Sequence, residues 1–127
     1  ESSGKLVAYC FAEIEGFSKF GIYTGNANAN GPVVYTGFTP EFVMIKPTTS
    51  VSNWSFKSGT VNPYNVVDQN FQANATAAEA TENQFDFLSN GFKLRSTSET
   101  NSATTIIFMA FAKYPFGGED VTPGTTF

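Results

Sequence analysis

A strongly apolar run near the end of this sequence has a counterpart near its start. The run TTIIFMAFAKYPF occupies residues 104–116, and GKLVAYCFAEIEG occupies residues 4–16. The two align with a constant offset of 100 positions, which pairs Leu6 with Ile106 and Phe11 with Phe111. Two related apolar runs at a fixed spacing predict two equivalent strands.

Read as β-structure, the C-terminal run is apolar on both faces. Alternate residues of a strand point to opposite sides of its sheet, so one side carries Ile106, Phe108 and Ala110 and the other carries Ile107, Met109 and Phe111. The flanking Thr and Pro residues and the β-branched content favour a strand over a buried helix. Such a strand belongs in a sheet that is covered on both sides, by a second sheet of the same chain or by a partner.

The length of 127 residues predicts one domain. We assign residues 1–116 to a β-sandwich domain and residues 117–127 to a C-terminal tail. Residues 1–13 then correspond to the last strand of a preceding module, so we expect the chain to be a piece of a longer protein or to have been cut. The N-terminal strand must still be covered. We expect it to fold back beside the C-terminal strand of its own module, with strand exchange to a neighbouring subunit as the alternative.

The low content of charged residues and the high content of aromatic residues limit the classes of partner that the chain can bind. Charged residues make up 14% of the chain and aromatic residues 16%, with 14 Phe, so some rings are expected at a subunit interface. The formal net charge of −4 gives no basic footprint, which argues against nucleic acid and against an anionic membrane surface. No run reaches transmembrane length. The side chains expected at subunit contacts are Tyr9, Phe11, Phe71, Met109, Phe111 and Phe127.

The residues that usually carry catalysis are scarce. The chain has no histidine, which removes the commonest general base and the usual zinc ligand. Glu13 and Glu15 lie on one side of an extended segment, and a glycan-cleaving carboxylate pair is a minor alternative. We therefore expect no enzyme, no catalytic residue and no cofactor. The single Cys10 is equivalent to Ala110, which predicts a buried thiol, with a reactive or intermolecular thiol as the alternative.

Turn signals divide the chain into short strands. Strands are predicted at residues 19–24, 33–38, 41–46 and 52–57, the last with Trp54 and Phe56 inward and Ser55 and Lys57 outward. Residues 59–83 lack a period apart from one helical turn near 76–82, and are predicted to form a contact surface. Residues 85–95 predict a hairpin whose two-residue type I′ loop is Asn90 and Gly91. Its buried face is predicted to carry Phe85, Phe87, Phe92 and Leu94.

About eight strands with antiparallel connections predict an all-β fold, an antiparallel β-sandwich that is jelly-roll or lectin-like.

Two groups of side chains are candidate binding sites. Asn26, Asn28 and Asn30 have the alternate spacing of a calcium loop, but they are neutral, so turn formation is the main interpretation and a weak ion site the alternative. Trp54, Tyr64 and Tyr35 could stack on a sugar ring, although core or interface aromatics are commoner.

Six motifs follow one another along nearly the whole chain: YCFAEIEGFSKFGIYTGN (9–26), GPVVYTGFTPEFVMIKPT (31–48), NPYNVVD (62–68), AAEAT (77–81), DFLSNGFKLR (86–95) and FMAFAKYPFGG (108–118). In order and spacing they resemble a domain of uncharacterised function in tail-fibre and other virion proteins of tailed bacteriophages, particularly marine ones. The chain departs from the pattern of that family at residues 48–61.

The resemblance implies a structural and adhesive role with no catalytic residue to transfer. We expect a non-enzymatic virion protein, a capsid decoration or tail-fibre appendage subunit on the particle surface, in contact with other virion proteins. The alternative is a lectin-like domain that binds host surface glycans. The surplus of apolar side chains predicts a symmetric homo-oligomer, and analogy with phage fibres favours a trimer.

Overall fold

A computed structural model describes residues 4–115, which form nine β-strands and one short 3-10 helix at Glu99–Asn101. Within this range there is no α-helix. The strands are β1 (Ser18–Thr24), β2 (Val33–Tyr35), β3 (Pro40–Pro47), β4 (Ser55–Ser58), β5 (Gln69–Gln72), β6 (Ala80–Thr81), β7 (Phe85–Leu88), β8 (Gly91–Leu94) and β9 (Thr105–Ala112).

The strands form two antiparallel sheets. The larger sheet has the order β1-β9-β3-β4-β5-β6, and the smaller sheet has the order β2-β8-β7. The apolar C-terminal run is β9, and it pairs with β1 on one side and with β3 on the other. The predicted all-β antiparallel sandwich is therefore confirmed.

The core lies between the two sheets. The ring of Phe92 on β8 packs edge-on against Phe108 on β9, with 5.4 Å between centroids, and contacts Tyr23 on β1 at 6.0 Å. These contacts join the inner faces of both sheets, because alternate residues of each strand point inward. The buried apolar residues are Tyr23, Val34, Phe38, Val43, Ile45, Val67, Phe85, Phe87, Phe92, Leu94, Ile106, Phe108, Ala110 and Ala112.

The predicted hairpin is present, but its loop lies one residue earlier. Leu88 pairs with Gly91, so the two loop residues are Ser89 and Asn90. Neither has a positive φ, so the loop is not type I′. Gly91 has a different role: a Cβ there would lie 2.0 Å from the carbonyl oxygen of Val34 on the neighbouring strand. The glycine permits close approach of β2 and β8 rather than a turn.

Strand β4 has the predicted alternation but the opposite orientation. Ser55 and Lys57 are buried, whereas Trp54 and Phe56 are only half-buried and lie on the other side of the sheet. The prediction that Lys57 points outward is therefore wrong. The ammonium group of Lys57 lies 5.3 Å from the centre of the Phe85 ring in the smaller sheet. Since alternate residues of a strand point to opposite sides, Trp54 and Phe56 face away from the smaller sheet.

The N-terminal run is not the strand that the sequence predicts. Residues 4–13 belong to neither sheet, and Leu6, Val7, Tyr9 and Phe11 are exposed. The expected fold-back beside the C-terminal strand is wrong, because both edges of β9 are already paired. Cys10 is likewise exposed rather than buried.

Residues 59–83 contain two short strands, β5 and β6, and β6 replaces the expected helical turn. Side-chain amides hold this region to the rest of the chain. Asn65 donates to the carbonyl oxygen of Phe87 at 2.7 Å and accepts from its N–H at 3.2 Å. Within the region itself, the main-chain N–H of Gln69 donates to Asn62 Oδ1 at 2.9 Å. The region is therefore ordered by its own chain, and its use as a contact surface stays a prediction.

Candidate functional site

The side of the larger sheet that points away from the smaller sheet is mostly apolar, and we call it the outer face. By register, Lys46 and Ser58 also lie on this side. Its apolar members are half-buried except Ile22, which is 67% exposed. They come from five neighbouring strands: Phe20 and Ile22 on β1, Ile107, Met109 and Phe111 on β9, Phe42 and Met44 on β3, Phe56 on β4 and Phe71 on β5.

Strand register aligns five of these side chains in one continuous row. Met109 lies opposite Phe20 on one side and opposite Met44 on the other. Met44 in turn pairs with Phe56, and Phe56 pairs with Phe71. Since directly opposed residues of adjacent strands lie on the same face, the row crosses the sheet from β1 to β5. Apolar residues on both sides of β3 and β9 thus serve two surfaces, the core and the outer face.

On the β1 side of the outer face, aromatic rings contact one another. Phe111 has edge-on contacts with Phe11, Phe17 and Phe20, with 5.9 Å between centroids in each pair. On the other side, Phe56 stacks on Phe71 at 5.1 Å. Aromatic pairs of this kind add about 0.5–1.5 kcal/mol beyond the area they bury. The outer face is therefore a preformed surface of rings and methionines.

A groove of about 630 Å³ lies on the outer face. Tyr9 and Phe11 line one side of it, and Trp54, Ala73 and Asn74 line another. Met44 and Met109, from the centre of the row, also line it. The groove is concave, apolar and open, which suits an apolar segment of a protein better than a small charged ligand.

Few charges border the outer face. The ammonium group of Lys46 lies 5.8 Å from the centre of the Trp54 ring and donates to the carbonyl oxygen of Ser52 at 2.7 Å. Near the start of β1, Lys19 forms an ion pair with Glu13 at 2.5 Å. The hydrogen bond from Lys19 lowers the pKa of Glu13. Lys19 is neutralised by Glu13, whereas Lys46 has a carbonyl oxygen and a ring face as partners and keeps its positive charge beside Trp54.

The sequence predicted part of this surface. Of the expected interface residues, Phe71, Met109 and Phe111 lie on the outer face, and Tyr9 and Phe11 line its groove. Phe127 lies outside the described residues. The prediction missed Phe20, Phe42, Met44 and Phe56. Their alternation within each strand was visible, but which side of the strand faced outward was not.

The three predicted glycan-contact aromatics are not brought together. Trp54 lines the groove on the outer face. Tyr64 lines a cleft of about 280 Å³ with Pro63 and Lys113. Tyr35 lines a different cleft of about 520 Å³ with Glu13. Three separate locations cannot form one sugar-stacking platform.

The Asn-rich loop is a set of turns. The Oδ1 atoms of Asn26 and Asn28 accept hydrogen bonds from the main-chain N–H two residues on, at 3.1 and 2.8 Å. Asn30 Oδ1 accepts from the ammonium group of Lys93 at 3.0 Å. The buried Asn101 donates to Asn26 Oδ1 at 3.0 Å and to the carbonyl oxygen of Asn28 at 2.7 Å. These oxygens all accept hydrogen bonds from the chain itself, and Asn30 Oδ1 already contacts a cation, the ammonium group of Lys93.

Two of the described carboxylates are held in ion pairs. Asp86 forms an ion pair with Arg95 at 2.7 Å, while Glu13 pairs with Lys19. Among residues 4–115 no three His, Cys, Asp or Glu side chains lie close enough to hold a metal ion. Nor does any helix in this range have the length and hydropathy needed to cross a membrane.

Lys57 is the most unusual ionisable group. Its side chain is fully buried, and its ammonium group donates to the main-chain carbonyl oxygens of Val67 and Glu82 and lies 5.3 Å from the centre of the Phe85 ring. Burial lowers the pKa of Lys57 to about 8, although Asp68, Asp86 and Glu82 act in the opposite direction. The lysine thus connects β4 to Val67 and to Glu82 later in the chain, which is a structural role.

Comparison with known families gives one match. Residues 1–115 match the model of a family described as a domain of unknown function (DUF7483). No curated protein and no solved structure matches the chain.

Proposed function

This chain belongs to the DUF7483 family, and we propose that it is a non-enzymatic structural module that assembles into a homo-oligomer through the outer face. The observation that carries the proposal is the row Phe20, Met109, Met44, Phe56 and Phe71, which runs in register across five strands. Interface cores are rich in aromatic residues and Met and poor in charge. The outer face has this composition.

Energetics support assembly. Burying apolar surface stabilises by roughly 25 cal/mol per Å², and monomeric proteins rarely leave large contiguous apolar patches in water. Ile22 and the groove beside Met44 remain open to solvent in the single chain. Burial of these apolar groups by a neighbouring subunit would contribute this free energy to assembly.

The setting that we propose is a virion, in which the module serves as a capsid decoration or tail-fibre appendage subunit among other virion proteins. This part of the proposal rests on the sequence motifs that resemble phage structural proteins. For the oligomer we favour a trimer, because closed symmetric assemblies of that order are common in phage fibres. Mass spectrometry of purified particles would test the setting directly.

The alternative function, a lectin-like domain for host glycans, has one supporting feature. Trp54 lies in the groove beside the amide of Asn74. Half of that amide is occupied, however, since Asn74 Oδ1 accepts from the main-chain N–H of Trp54 at 2.8 Å and Asn74 Nδ2 donates to Asn53 Oδ1 at 3.1 Å. We therefore place assembly first.

Sedimentation velocity of the full chain tests the assembly. We expect a stable oligomer at micromolar concentration, and we expect Met44→Lys to dissociate it while the far-ultraviolet circular dichroism of the chain stays unchanged. Ile22→Lys provides a second variant at a position that is already mostly exposed, should Met44→Lys fail to fold. Val33→Lys, on the smaller sheet, is the control and should leave the oligomer intact. A wild-type monomer at high micromolar concentration would overturn the proposal.

A further inference from the structure

Two apolar surfaces are left uncovered by residues 4–115, the part of the chain that the structure describes. One is the groove on the outer face. The other is the N-terminal segment, residues 6–11, in which Leu6 is 95% exposed, Tyr9 is 81% exposed and Phe11 is 57% exposed. Exposed apolar side chains in such a cluster mark a contact surface. The two surfaces match in chemistry, because both are apolar and nearly free of charge.

The segment covers only one side of the groove of its own chain. Phe11 stacks on Phe20 with 5.8 Å between centroids and contacts Phe111 at 5.9 Å, so it packs over β1 and β9. The opposite side, formed by Met44, Trp54 and Ala73, still lines the open groove. The contact of Phe11 shows that this face accepts side chains from the segment.

The connection to β1 fixes where the segment leaves the sheet. The N–H groups of Phe17 and Ser18 donate to the carbonyl oxygen of Ile14 at 3.0 and 2.9 Å, and Lys19 pairs with Glu13. The N–H of Ala112 donates to the carbonyl oxygen of Phe17 at 2.8 Å, which anchors the turn to β9. These bonds hold residues 13–18 at the β1 side, and β1 is the edge strand farthest from β5 among the strands that carry the outer face.

We propose that residues 6–11 of a neighbouring copy of this chain occupy the side of the groove formed by Met44, Trp54 and Ala73. This inference rests on the proposed function and names the occupant of the same surface. The segment has the alternation of β9: Val7, Tyr9 and Phe11 correspond to Ile107, Met109 and Phe111, which lie on the outer face. A neighbour's segment therefore presents side chains of the same kind as those that make up the outer face.

Charge and symmetry are compatible with this contact. No charged residue lies between Lys5 and Glu13, and the cation nearest the groove, Lys46, is held by Ser52 and the Trp54 ring. A segment-to-groove contact joins two different surfaces, so it closes into a ring only where the rotation between successive copies brings the last copy back to the first; otherwise it gives an open filament. A trimer is one such ring.

Cross-linking identifies which chain supplies the segment. Cys10 is the only cysteine and is exposed on the segment. In the variant Ala73→Cys, a short bis-maleimide should join Cys10 of one copy to residue 73 of another and give covalent oligomers on a denaturing gel. Wild-type protein and Val33→Cys, on the smaller sheet, are the controls and should give little product. A link within one chain, or no link above the controls, would overturn the inference.

A substitution pair separates this inference from the proposed function. Val7→Asp with Tyr9→Asp should raise the dissociation constant of the oligomer at least ten-fold and leave the fold intact. Val33→Asp with Tyr35→Asp has the same residue types and spacing on an exposed strand and should have no such effect. If Met44→Lys dissociates the oligomer and the segment pair does not, the outer face is the interface but the segment is not its occupant. If the wild-type chain is monomeric, both the proposed function and this inference are wrong.

Discussion

The ammonium group of Lys57 donates a hydrogen bond to the main-chain carbonyl oxygen of Glu82, 2.5 Å away, from a side chain that is fully buried. It also donates to the carbonyl oxygen of Val67. A charge in this position is satisfied by dipoles but still loses its hydration, so its burial opposes protonation. The stability of the fold should therefore depend on the protonation of this one group.

The first prediction concerns alkaline pH. Lys57 has a pKa of about 8 in the folded chain against 10.5 for an ordinary lysine. Between these values the unfolded chain binds more protons, so stability rises with pH. We expect the free energy of unfolding to rise by about 2 kcal/mol between pH 7.5 and 9.5. Burial raises the pKa of Tyr23 and acts oppositely, but only above about pH 10.

Urea denaturation at several pH values measures this rise. The matched variant Lys57→Met removes the titrating group and keeps an apolar stem of similar length, so its stability should change much less over the same range. An equal pH dependence in both proteins would contradict the assigned role of Lys57.

The second prediction concerns Gly91. A Cβ at this position would lie 2.0 Å from the carbonyl oxygen of Val34, and a backbone atom cannot move aside as a flexible side chain can. Gly91→Ala should destabilise the fold by about 3 kcal/mol. Gly4→Ala, where no atom lies within 4 Å, is the control and should have little effect. Thermal melts of the two variants would settle the comparison, and equal melting temperatures would refute the close approach of β2 and β8.

The third prediction concerns Asn101, which is fully buried and joins three parts of the chain. The two hydrogens of its amide nitrogen are shared among Asn26 Oδ1 and the carbonyl oxygens of Asn28 and Ser96, and its Oδ1 accepts from the main-chain N–H of Asn26 at 3.1 Å. Asn101→Ala should cost about 1–3 kcal/mol because the hydrogen bonds of a buried amide are lost. Hydrogen exchange should also quicken at residues 26–30. Asn83→Ala, at an exposed position, serves as the control, and unchanged exchange in the Asn101 variant would count against the bridge.

The fourth prediction concerns glycans. Because Trp54, Tyr64 and Tyr35 line three separate clefts, we expect a glycan array to show no saturable binding that depends on all three side chains. Alanine variants at each position provide the measurement. Saturable binding that Trp54→Ala abolishes without unfolding the chain would favour the lectin-like alternative.

Much of the fold follows from local pattern. The alternation of apolar residues predicted the strands that became β1, β3, β7, β8 and β9, and the hairpin between β7 and β8 needed only the Asn and Gly signal near its turn. Phe85, Phe87, Phe92 and Leu94 were predicted to be buried and are. Such predictions succeed because strand alternation is a property of neighbouring residues.

Prediction from the local sequence pattern was wrong where one residue type can serve two structural roles. The sequence placed Gly91 in the turn because Asn-Gly pairs favour type I′ loops. The structure uses this glycine in β8, where only the approach of Val34 from another strand requires it. Cys10 and its neighbours were predicted to be covered because they echo β9, but pairing of β9 with β1 and β3 leaves them no edge.

The sequence by itself determined which residues share a side of each strand, because alternation along a strand is a local property of the chain. It determined that β9 and β3 would be apolar on both sides and that Trp54 and Phe56 would lie together, opposite Ser55 and Lys57. Only the tertiary structure decided which of these sides met the smaller sheet and which became the outer face. That choice depends on strand order and on contacts between residues far apart in sequence, such as Phe92 with Phe108.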